Sequence, residues 1–358
     1  MSVELNRNSL EEYKLYTNNI VGMAFRRELL IHIRNFESMC FNQKLDVNEL
    51  NTKIYETIND VAQKYVCDEG IVLYKDILDE IWGEIVEARN PDGTFGILSK
   101  FPSLANYFTY QPGELTLWVA RRKMGKSVLA MNELVHKLKN NIPCVYFDTE
   151  MNDKLFTTRL LSHLTQIDEN KIKAGSYTNS EEFIIEDAKK WIKSKSPLFV
   201  HKYNPSWTKD DIYAQAQILK YKINFQFFIY DYIKITNGSI VSSSEQYNEL
   251  GNWCDFLKNK IGGKLDVPVL TFAQLNRNDN IADSDKIERF ATTGIKWRKK
   301  TAEEITIDGE SCGNYALSVM FNRIGDEMDE DEYVDCVFKK NILTIEECAK
   351  QHEKIEPF

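Results

Sequence analysis

The sequence has few glycine and proline residues, 16 and 8 of its 358, and it has no long apolar run. The low glycine and proline content excludes a collagen-like chain and argues against extensive linkers. A membrane-spanning helix needs about 18 or more consecutive apolar residues, and no such stretch is present. The first residues, MSVELNRNSLEEY, also lack the apolar segment of a secretory signal. We therefore expect a soluble cytoplasmic protein that does not contact membranes.

Cysteine pairs with metal-binding spacing are also missing. The seven cysteines are odd in number and scattered along the chain, and none are spaced as CxxC. This pattern favours reduced thiols over disulfide bonds or a zinc site. The five histidines form no HExxH motif, so we expect any bound metal ion to have hard oxygen ligands.

The chain has fewer basic than acidic residues. The 45 lysine and arginine residues are outnumbered by 54 aspartate and glutamate residues, which gives a net charge of −9 and a pI near 5.3. This balance argues against a protein that covers nucleic acid over a broad surface. Local basic loops are then the candidate contacts with nucleic acid, and the acidic segment 325–335 is expected to be a solvated loop.

The first part of the chain shows the spacing of amphipathic helices. Ser9 and Glu12 have the spacing of a capping box, which predicts a helix that starts there and continues through residues 20–36. Apolar residues at helical spacing predict two more helices. Their apolar faces are Leu50, Ile54, Ile58, Val61 and Tyr65 in one helix, and Ile77, Ile81 and Ile85 in the other. These faces favour core packing within the chain, and docking onto a neighbouring subunit is the alternative.

A turn signal at 90–93, Asn-Pro-Asp-Gly, divides the sequence into residues 1–93 and residues 94–358. In the second part, short apolar runs alternate with helical patterns. The runs are 115–120, 143–149, 197–203, 225–231 and 267–273. This alternation predicts an α/β fold with a mainly parallel sheet between two layers of helices, in which ligands bind at the carboxyl ends of the strands.

The first apolar run is followed by a candidate phosphate-binding loop. Its residues are Ala120, Arg121, Arg122, Lys123, Met124, Gly125, Lys126 and Ser127. A phosphate loop needs backbone amides around an anion, a lysine that reaches the β- and γ-phosphates, and a hydroxyl for Mg²⁺, and the Gly-Lys-Ser ending supplies them. The strict GxxxxGK[ST] pattern fails at Ala120, so a chance Gly-Lys-Ser at a helix start is the alternative.

Polar residues follow three other apolar runs, at the same predicted edge of the sheet. Asp231 is placed to hold Mg²⁺ beside Ser127. Glu150 is a candidate base for an attacking water, with Asp148 as its competitor. Gln274 is placed to hydrogen-bond the γ-phosphate and to respond to its loss. Each carboxylate has the alternative role of a helix cap, and the glutamine that of a surface residue.

These motifs, in this order, resemble the RecA-type ATPase core, and more narrowly the hexameric replicative DNA helicases of the DnaB type and their tailed-phage relatives. The resemblance covers residues 94–345. It is carried by FPSLANYFTYQPGELTLWVARRKMGKS, FDTEM, FFIYDYIKI and VPVLTFAQLNR. Alanine in place of the first glycine of the phosphate loop occurs within that family.

The resemblance implies a RecA-like domain, residues 94–358, that binds ATP with Mg²⁺ between the subunits of a ring, expected to be a hexamer. Single-stranded DNA would pass through the pore, and the ring would move 5′ to 3′ and unwind the replication fork. A primase and a helicase loader are the implied partners, in the cytoplasm of a bacterium or a phage-infected cell. Lys126, Ser127, Glu150, Asp231 and Gln274 keep the roles described above.

The resemblance also suggests contacts with DNA. The segment 309–321 resembles a pore loop and the strand after it, and the segment 296–300, Lys-Trp-Arg-Lys-Lys, combines cations with an aromatic ring that suits a single strand. Surface solvation is an equally good interpretation of this basic segment. The candidate DNA-binding residues are Arg277, Lys296, Arg298, Lys299, Ser311 and Gly313.

The sequence departs from the family in two places. The family's trans-acting Lys-x-Arg falls at 339–341, where the residues are Lys, Lys and Asn, so Lys339 or Lys340 would have to replace the arginine. Residues 1–93 are too few for both the helical collar and the linker of the family. The helix containing residues 20–33 resembles the linker that docks on the adjacent RecA domain.

Two other functions share this core chemistry. One is a RecA-like recombinase that forms filaments on DNA, which the Phe-Pro and Asp-Tyr signatures disfavour. The other is a weakly hydrolysing, nucleotide-binding subunit that assembles with another helicase, which the missing arginine and the short front region favour.

Overall fold

The computed structural model describes residues 2–42, 45–66, 74–87, 95–233, 243–274, 289–329 and 331–348. The chain divides into two compact units, residues 1–87 and residues 88–358. The turn signal at 90–93 and the candidate DNA-binding residue Arg277 lie outside the described residues. None of the described helices is both long and apolar enough to cross a bilayer.

The first unit contains helices α1 (Ser2–Cys40), α2 (Val47–Val66) and α3 (Tyr74–Glu87). Helix α1 already includes the residues before Ser9, so the prediction that a capping box starts the helix there is wrong. On the predicted apolar faces Val61 is 2% exposed, whereas Ile58 is 45% and Ile85 is 39% exposed, so core packing holds at only part of them. On α1, Ile20 is 69% exposed, and Leu30 and Ile33 are each 50% exposed. The described helices of the first unit therefore do not bury these side chains of α1.

The second unit is built on a nine-stranded sheet. Its strands are β1 (Leu115–Ala120), β2 (Cys144–Asp148), β3 (Phe199–Tyr203), β4 (Phe227–Asp231), β5 (Val269–Gln274), β6 (Thr293–Lys299), β7 (Tyr315–Asn322), β8 (Val334–Lys339) and β9 (Thr344–Glu347). The helices are α4 (Lys126–Lys139), α5 (Asp153–Thr165), α6 (Glu169–Ala174), α7 (Asn179–Lys195), α8 (Lys209–Ile223), α9 (Ser243–Asp255) and α10 (Ala302–Asp308). A π-helix, Phe256–Gly263, continues α9, and short 3₁₀ helices occur at Pro102–Asn106, Ser196–Leu198 and Glu310–Cys312.

The strand order is β3-β2-β4-β5-β1-β6-β7-β8-β9, and the pairs from β3 to β6 are parallel. The prediction of a mainly parallel sheet is confirmed. Every residue of β1 is buried, because Trp118 belongs to the core on the face that includes α4, and Leu117 belongs to the core on the opposite face, which includes the π-helix. Burial on both faces explains why these strands are continuous apolar runs rather than alternating ones.

Strands β7, β8 and β9 extend the sheet in antiparallel pairs. Strand β6, which joins them to the parallel part, covers most of the segment that the sequence marked as a basic patch. Its buried residues, such as Ile295 and Trp297, alternate with more exposed Lys296 and Arg298. This alternation is the period of a strand with only one fully buried face.

Helix α4 is anchored at its far end by a fully buried ion pair between Lys137 and Glu133. The Ser99 hydroxyl donates to Glu133 at 2.6 Å, and the Lys137 ammonium donates to the Leu98 carbonyl at 2.7 Å. Buried charges are tolerated only when they are paired and hydrogen-bonded, and both are satisfied here. The pair therefore fixes the helix whose first residue is Lys126.

The parallel register brings the strand ends together. Ala120, the last residue of β1, is paired with Gln274 of β5, and Asp148 of β2 is paired with Asp231 of β4. The carboxyl ends of four neighbouring strands thus form one edge, where the candidate residues lie.

Candidate nucleotide-binding site

The loop between β1 and α4 has the backbone of an anion-binding turn. Gly125 caps α4 in the left-handed region with φ +92°, and Lys123 also has a positive φ, +63°. Helix α4 begins at Lys126, directly after the loop. The first amides of a helix have no acceptor within the helix, and they lie at the positive end of its dipole. The predicted loop is therefore built to receive a phosphate.

An aromatic layer, formed by Trp297, Tyr315 and Phe338, supports this loop. The Trp297 indole donates a hydrogen bond to the Met124 carbonyl at 2.8 Å and stacks on Tyr315 with ring centroids 4.7 Å apart. A methyl group at Gly125 would lie 2.8 Å from Cε1 of Phe338. The loop thus rests on rings from β6, β7 and β8, and glycine is required at position 125 by both conformation and space.

Asp231 is a buried carboxylate at the end of β4, with 1% of its surface exposed. The Tyr146 hydroxyl donates to its Oδ2 at 2.6 Å, and Oδ1 has no hydrogen-bond partner within the described part of the chain. Burial first, and then the charge of Asp148, raise the pKa of Asp231 to about 7, while the hydroxyls of Tyr146 and Ser127 lower it. Ser127 therefore lies beside this carboxylate, as the sequence predicts.

Asp148 and Glu150, the two candidate bases, have different surroundings. Oδ1 of buried Asp148 accepts hydrogen bonds from the backbone amides of Glu150 and Met151, both at 2.7 Å. The side chain of Asp148 is thus occupied in holding the turn after β2. Glu150 is exposed at the edge of the sheet, and this favours it over Asp148 as the residue that meets a water.

Lys126, Glu150 and Asp231 lie within electrostatic reach of one another. Burial lowers the pKa of the Lys126 ammonium, the charges of Asp231 and Glu150 oppose this effect, and Arg122 adds to it. The ammonium lies 5.4 Å from the ring centroid of Tyr232. Burial, followed by the charge and hydrogen bond of Glu150, raises the pKa of Tyr232 to about 12. The ring of Tyr232 thus lies near the Lys126 ammonium, and its hydroxyl is hydrogen-bonded with Glu150.

The other candidate residues of the site are at the same edge. Gln274 ends β5 with an exposed side chain, in register with buried Ala120. Arg121, Arg122 and Lys123 are exposed on the loop. The structure therefore brings together the phosphate loop and the three strand-end residues that the sequence selects.

The candidate trans-acting lysines lie at the turn between β8 and β9. Lys339 forms an exposed ion pair with Glu346 at 2.6 Å. The Lys340 ammonium lies 5.9 Å from the ring of Tyr315 and 5.8 Å from that of Phe338, two members of the aromatic layer. Their side chains contact their own chain, and a role in a neighbouring subunit stays a prediction.

The basic segment 296–300 does not have the predicted combination of cations and an available ring. Trp297 is fully buried, so the expectation that its ring stacks on a single strand is wrong. Arg298 forms a two-pronged ion pair with Glu304, and Lys300 is buried with Asp308 and Asp335. Most of the segment thus folds as strand β6, and two of its four cations, Arg298 and Lys300, are paired.

The pore-loop candidates differ from each other in exposure. Gly313 is buried with φ +80°, and a Cβ there would lie 2.3 Å from the Cys336 carbonyl oxygen, so packing against β8 requires this glycine. The prediction that backbone groups around Gly313 border the DNA phosphates stays a prediction. Ser311, Lys299 and partly exposed Lys296 face solvent, and their contact with DNA stays a prediction.

Sequence reasoning missed several residues of the site. Tyr146 holds Asp231, and Thr149 donates its backbone amide to the Asp231 carbonyl at 2.9 Å. Tyr146 lies two residues before Asp148 in a strand, and this period of two was the available signal that both side chains share a face. Trp297 and Phe338 come from strands distant in sequence, and no local pattern relates them to the loop.

The donors at this edge fit Mg²⁺. This ion prefers oxygen ligands and usually binds through one or two carboxylates plus phosphates and waters. Asp231 offers a buried oxygen atom with no hydrogen-bond partner in the described segments, and Ser127 offers a hydroxyl beside it. The described residues contain no group of three or more His, Cys, Asp or Glu side chains arranged to hold a metal. The chain can thus supply part of a coordination shell, which a nucleotide would complete.

A family model for the DnaB-like helicase C-terminal domain matches residues 96–287. The chain belongs to this family. The match covers β1 to β5 and every strand-end residue described above, so the DnaB-like resemblance is confirmed. Members of the family are RecA-fold P-loop proteins, the class of ATP-hydrolysing DNA helicases.

Relatives and solved structures agree with this membership. The replicative DNA helicase DnaB of Leifsonia xyli subsp. xyli is 25% identical over 325 residues, which are 87% of this chain and 69% of that protein. The DnaB of Rickettsia typhi is 24% identical over 291 residues, 76% of this chain and 57% of that protein. This chain thus spans a little over half to about two thirds of the length of these DnaB relatives.

Two solved structures share the DnaB-like fold. One, described as an ATPase domain, has a TM-score of 0.64 with 20% identity, and the comparison covers 78% of this chain and 99% of that one. The other is a DnaB-like replicative helicase, described with its interactions with primase. Its TM-score is 0.65 with 17% identity, and the comparison covers 90% of this chain and 75% of that one. They confirm the RecA-like fold.

Replacement of Gly125 tests the phosphate loop. We expect Gly125→Ala to weaken the binding of a fluorescent ATP analogue by about tenfold or more. An alanine in the left-handed backbone conformation costs about 1–2 kcal/mol, and its Cβ would also contact the ring of Phe338. Gly113→Ala is the matched control, since Gly113 has φ +76° with open space around the added Cβ. Unchanged affinity in the Gly125 variant would contradict the described loop geometry.

The raised pKa of Asp231 predicts a pH-dependent stability. The folded protein holds a proton on Asp231 up to about pH 7, whereas the unfolded chain loses it near pH 4, so the free energy of unfolding falls as pH rises between these values. We therefore compare the free energy of unfolding of Asp231→Asn with that of the parent protein. We expect the difference to favour the variant more at about pH 8 than at about pH 5, by on the order of 1 kcal/mol.

Thermal or urea unfolding without nucleotide and Mg²⁺ measures this difference. Asp187→Asn is the control, because the Asp187 side chain is 74% exposed on α7. If the difference in the free energy of unfolding between the Asp231 variant and the parent does not change with pH, the buried carboxylate does not retain its proton.

Proposed function

We propose that the chain is an ATP-driven replicative DNA helicase that forms a ring, moves 5′ to 3′ on single-stranded DNA and unwinds the duplex at the fork. The observation that carries this proposal is the gathering of Lys126, Glu150, Asp231 and Gln274 at one sheet edge around an anion-binding loop, in a chain of the DnaB-like family. Curated relatives bear the name replicative DNA helicase.

ATP binding uses the loop and the start of α4. The backbone amides of the loop surround the β- and γ-phosphates, and Lys126 reaches them as a point charge. Ser127 and Asp231 would hold Mg²⁺, and the ion would supply positive charge to the phosphates. The low exposure of Asp231 makes its interaction with a cation stronger than it would be in water.

Hydrolysis depends on Glu150. The carboxylate orients a water for in-line attack on the γ-phosphorus and accepts its proton. Tyr232 adjoins Glu150 and lies near Lys126, so its hydroxyl keeps the glutamate near the phosphates. Gln274, at the end of β5, hydrogen-bonds the γ-phosphate and loses this contact after hydrolysis, which starts the movement of the DNA-binding loops.

Assembly and DNA contact use parts of the chain outside this edge. Residues 1–93 serve as the helical region that docks on a neighbouring subunit, and the exposed apolar face of α1 supports this role. In a hexameric ring, we expect Ser311, Lys296 and Lys299 to contact the strand in the pore, and Arg277 stays a candidate contact. A primase and a loader bind to the assembled ring, in the cytoplasm of a bacterium or a phage-infected cell. Membership of the DnaB-like family favours the helicase over a filament-forming recombinase.

Lys126→Ala tests the proposed function directly. We expect loss of nucleotide turnover and of unwinding together, each by about 100-fold or more, because the variant removes the cation that holds the transferring phosphate. Phosphate release and a strand-displacement assay on forked DNA measure the two activities. Lys190→Ala, at a side chain that is 76% exposed on α7, is the control. Unwinding by the Lys126 variant would overturn the proposal.

The missing arginine supports a second candidate, a weakly hydrolysing subunit that assembles with another helicase. Asn341, where the family has the arginine, is exposed at the turn between β8 and β9, and its carbonyl accepts a hydrogen bond from the Glu169 amide at 2.9 Å. A lysine nearby lacks the planar fork that stabilises the spread charge of a phosphoryl group. Low turnover that does not respond to single-stranded DNA would favour this candidate.

Asn341→Arg tests whether this turn acts on a neighbouring subunit. We expect DNA-stimulated ATPase activity to rise by about tenfold, because the guanidinium restores the trans-acting charge. Asn341→Lys is the matched control and should give a smaller gain. The gain should disappear when the protein is diluted below the concentration at which it assembles. A gain that survives dilution would show that the residue does not act in trans.

A further inference from the structure

Lys300 is the last residue of the basic segment 296–300, and its side chain is 0% exposed. It follows β6 directly, and its backbone amide donates a hydrogen bond to the Asn314 carbonyl at 3.1 Å. An ammonium that is buried in this way does not reach a phosphate of bound DNA. The direct contact with a single strand that the sequence suggests for this segment is therefore closed to Lys300.

The Lys300 ammonium is surrounded by oxygen atoms of its own chain. It donates to Oδ2 of Asp308 at 2.7 Å and to the Cys312 carbonyl at 3.2 Å, and it forms an ion pair with buried Asp335. Burial lowers the pKa of Lys300, but the two carboxylates raise it above its ordinary value, so the ammonium stays charged. A buried charge with its partners in place holds them strongly, because removal of one member leaves the others uncompensated.

The partners of Lys300 come from three different elements. Asp308 is the last residue of α10, Cys312 ends the 3₁₀ helix Glu310–Cys312, and Asp335 belongs to β8. The Tyr333 hydroxyl also donates to Oδ2 of Asp308, at 2.8 Å. One ammonium thus joins the end of β6 to α10, to the 3₁₀ helix and to β8.

The short turn 309–312 lies between two of these contacts. The Cys312 amide donates to the Gly309 carbonyl at 3.1 Å, which closes the turn. Exposed Ser311, a candidate DNA contact, is in its middle. Lys300 binds Asp308 just before the turn and the carbonyl of Cys312 at its end. The position of Ser311 therefore depends on a side chain that is itself buried.

We propose that Lys300 is a positioning residue for DNA binding: it ties the turn 309–312 to β6 and β8 and holds Ser311 and the neighbouring backbone where they meet a phosphate of the single strand. The inference rests on the proposed contact between this turn and DNA and adds a buried residue to it. Lys300 does not touch the DNA, and it acts on affinity through the turn.

Asp308→Ala releases the turn with little disturbance of the core. The Asp308 side chain is 13% exposed, and Lys300 keeps Asp335 and the Cys312 carbonyl as partners. Glu303→Ala is the matched control, because it removes an exposed carboxylate from the same helix and changes the charge near the DNA by the same amount. Lys300→Met removes the ammonium itself, and thermal unfolding shows whether this variant is folded.

Fluorescence anisotropy with a labelled single-stranded oligonucleotide, an ATP analogue and Mg²⁺ measures the effect. We expect Asp308→Ala to bind the oligonucleotide about fivefold more weakly than Glu303→Ala does, because a displaced turn loses hydrogen bonds to phosphate. A folded Lys300→Met should lose at least as much. Equal affinities of the Asp308 and Glu303 variants would overturn the inference.

A double variant separates positioning from a general loss of stability. We expect Ser311→Ala to weaken binding by about threefold in the parent protein and by less in the Asp308→Ala background, since residues that act on one contact are not additive. Additive losses would show that Asp308 does not act through the turn, and they would contradict the inference.

Amide hydrogen exchange tests the turn without DNA. We expect the Cys312 amide to exchange faster in Asp308→Ala than in Glu303→Ala, and equal exchange would show that the Asp308 contact does not hold the turn. If the parent protein does not bind the oligonucleotide, the proposed function fails and the inference fails with it. If the parent protein binds and unwinds forked DNA while the Asp308 and Lys300 variants bind equally well, the inference alone fails.

Discussion

Parallel pairing of β1, β2, β4 and β5 is the constraint on which the site depends. These strands are buried on both faces, and a shift of one residue in their register would turn every side chain to the opposite face and separate the strand-end residues. Ala120 then meets Gln274, and Asp148 meets Asp231. The chemistry of the edge follows from a register that the apolar core enforces.

This register has an electrostatic cost. Two buried carboxylates, Asp148 and Asp231, lie on neighbouring strands, and their proximity contributes to the raised pKa of Asp231. The structure offsets the cost locally, with the Tyr146 hydroxyl on Asp231 and backbone amides on Asp148. Two buried carboxylates at one edge of the sheet suit the binding of a divalent cation and the nearby ammonium of Lys126. The burial that raises the pKa of Asp231 thus also leaves its Oδ1 as a candidate ligand for a cation.

Much of the fold could be predicted from the sequence, because doubly buried parallel strands and the phosphate loop are local signals. Asp231, Glu150 and Gln274 could be selected because each follows an apolar run. The antiparallel strands β7 to β9 could not be fully predicted, and the pattern of β6 favoured a basic surface as much as a strand. In that segment the cations Arg298 and Lys300 are paired with Glu304, Asp308 and Asp335, partners that lie outside the segment itself.

The remaining parts of the site depend on contacts between distant positions. Phe338 excludes a side chain at Gly125 from more than 200 residues away in sequence, and no local pattern encodes that meeting. The predicted start of α1 is wrong because a good capping signal lies inside a longer helix. A capping signal does not start a helix where the residues before it also adopt helical conformation.

We propose that one sheet edge gathers Lys126, Glu150, Asp231 and Gln274 around a single triphosphate. Electron microscopy of the full chain with a non-hydrolysable ATP analogue, Mg²⁺ and forked DNA would show this arrangement. We expect a closed ring around one strand, with the nucleotide phosphates bounded by these four side chains. Nucleotide bound elsewhere, or an edge whose four side chains point to separate faces, would contradict it.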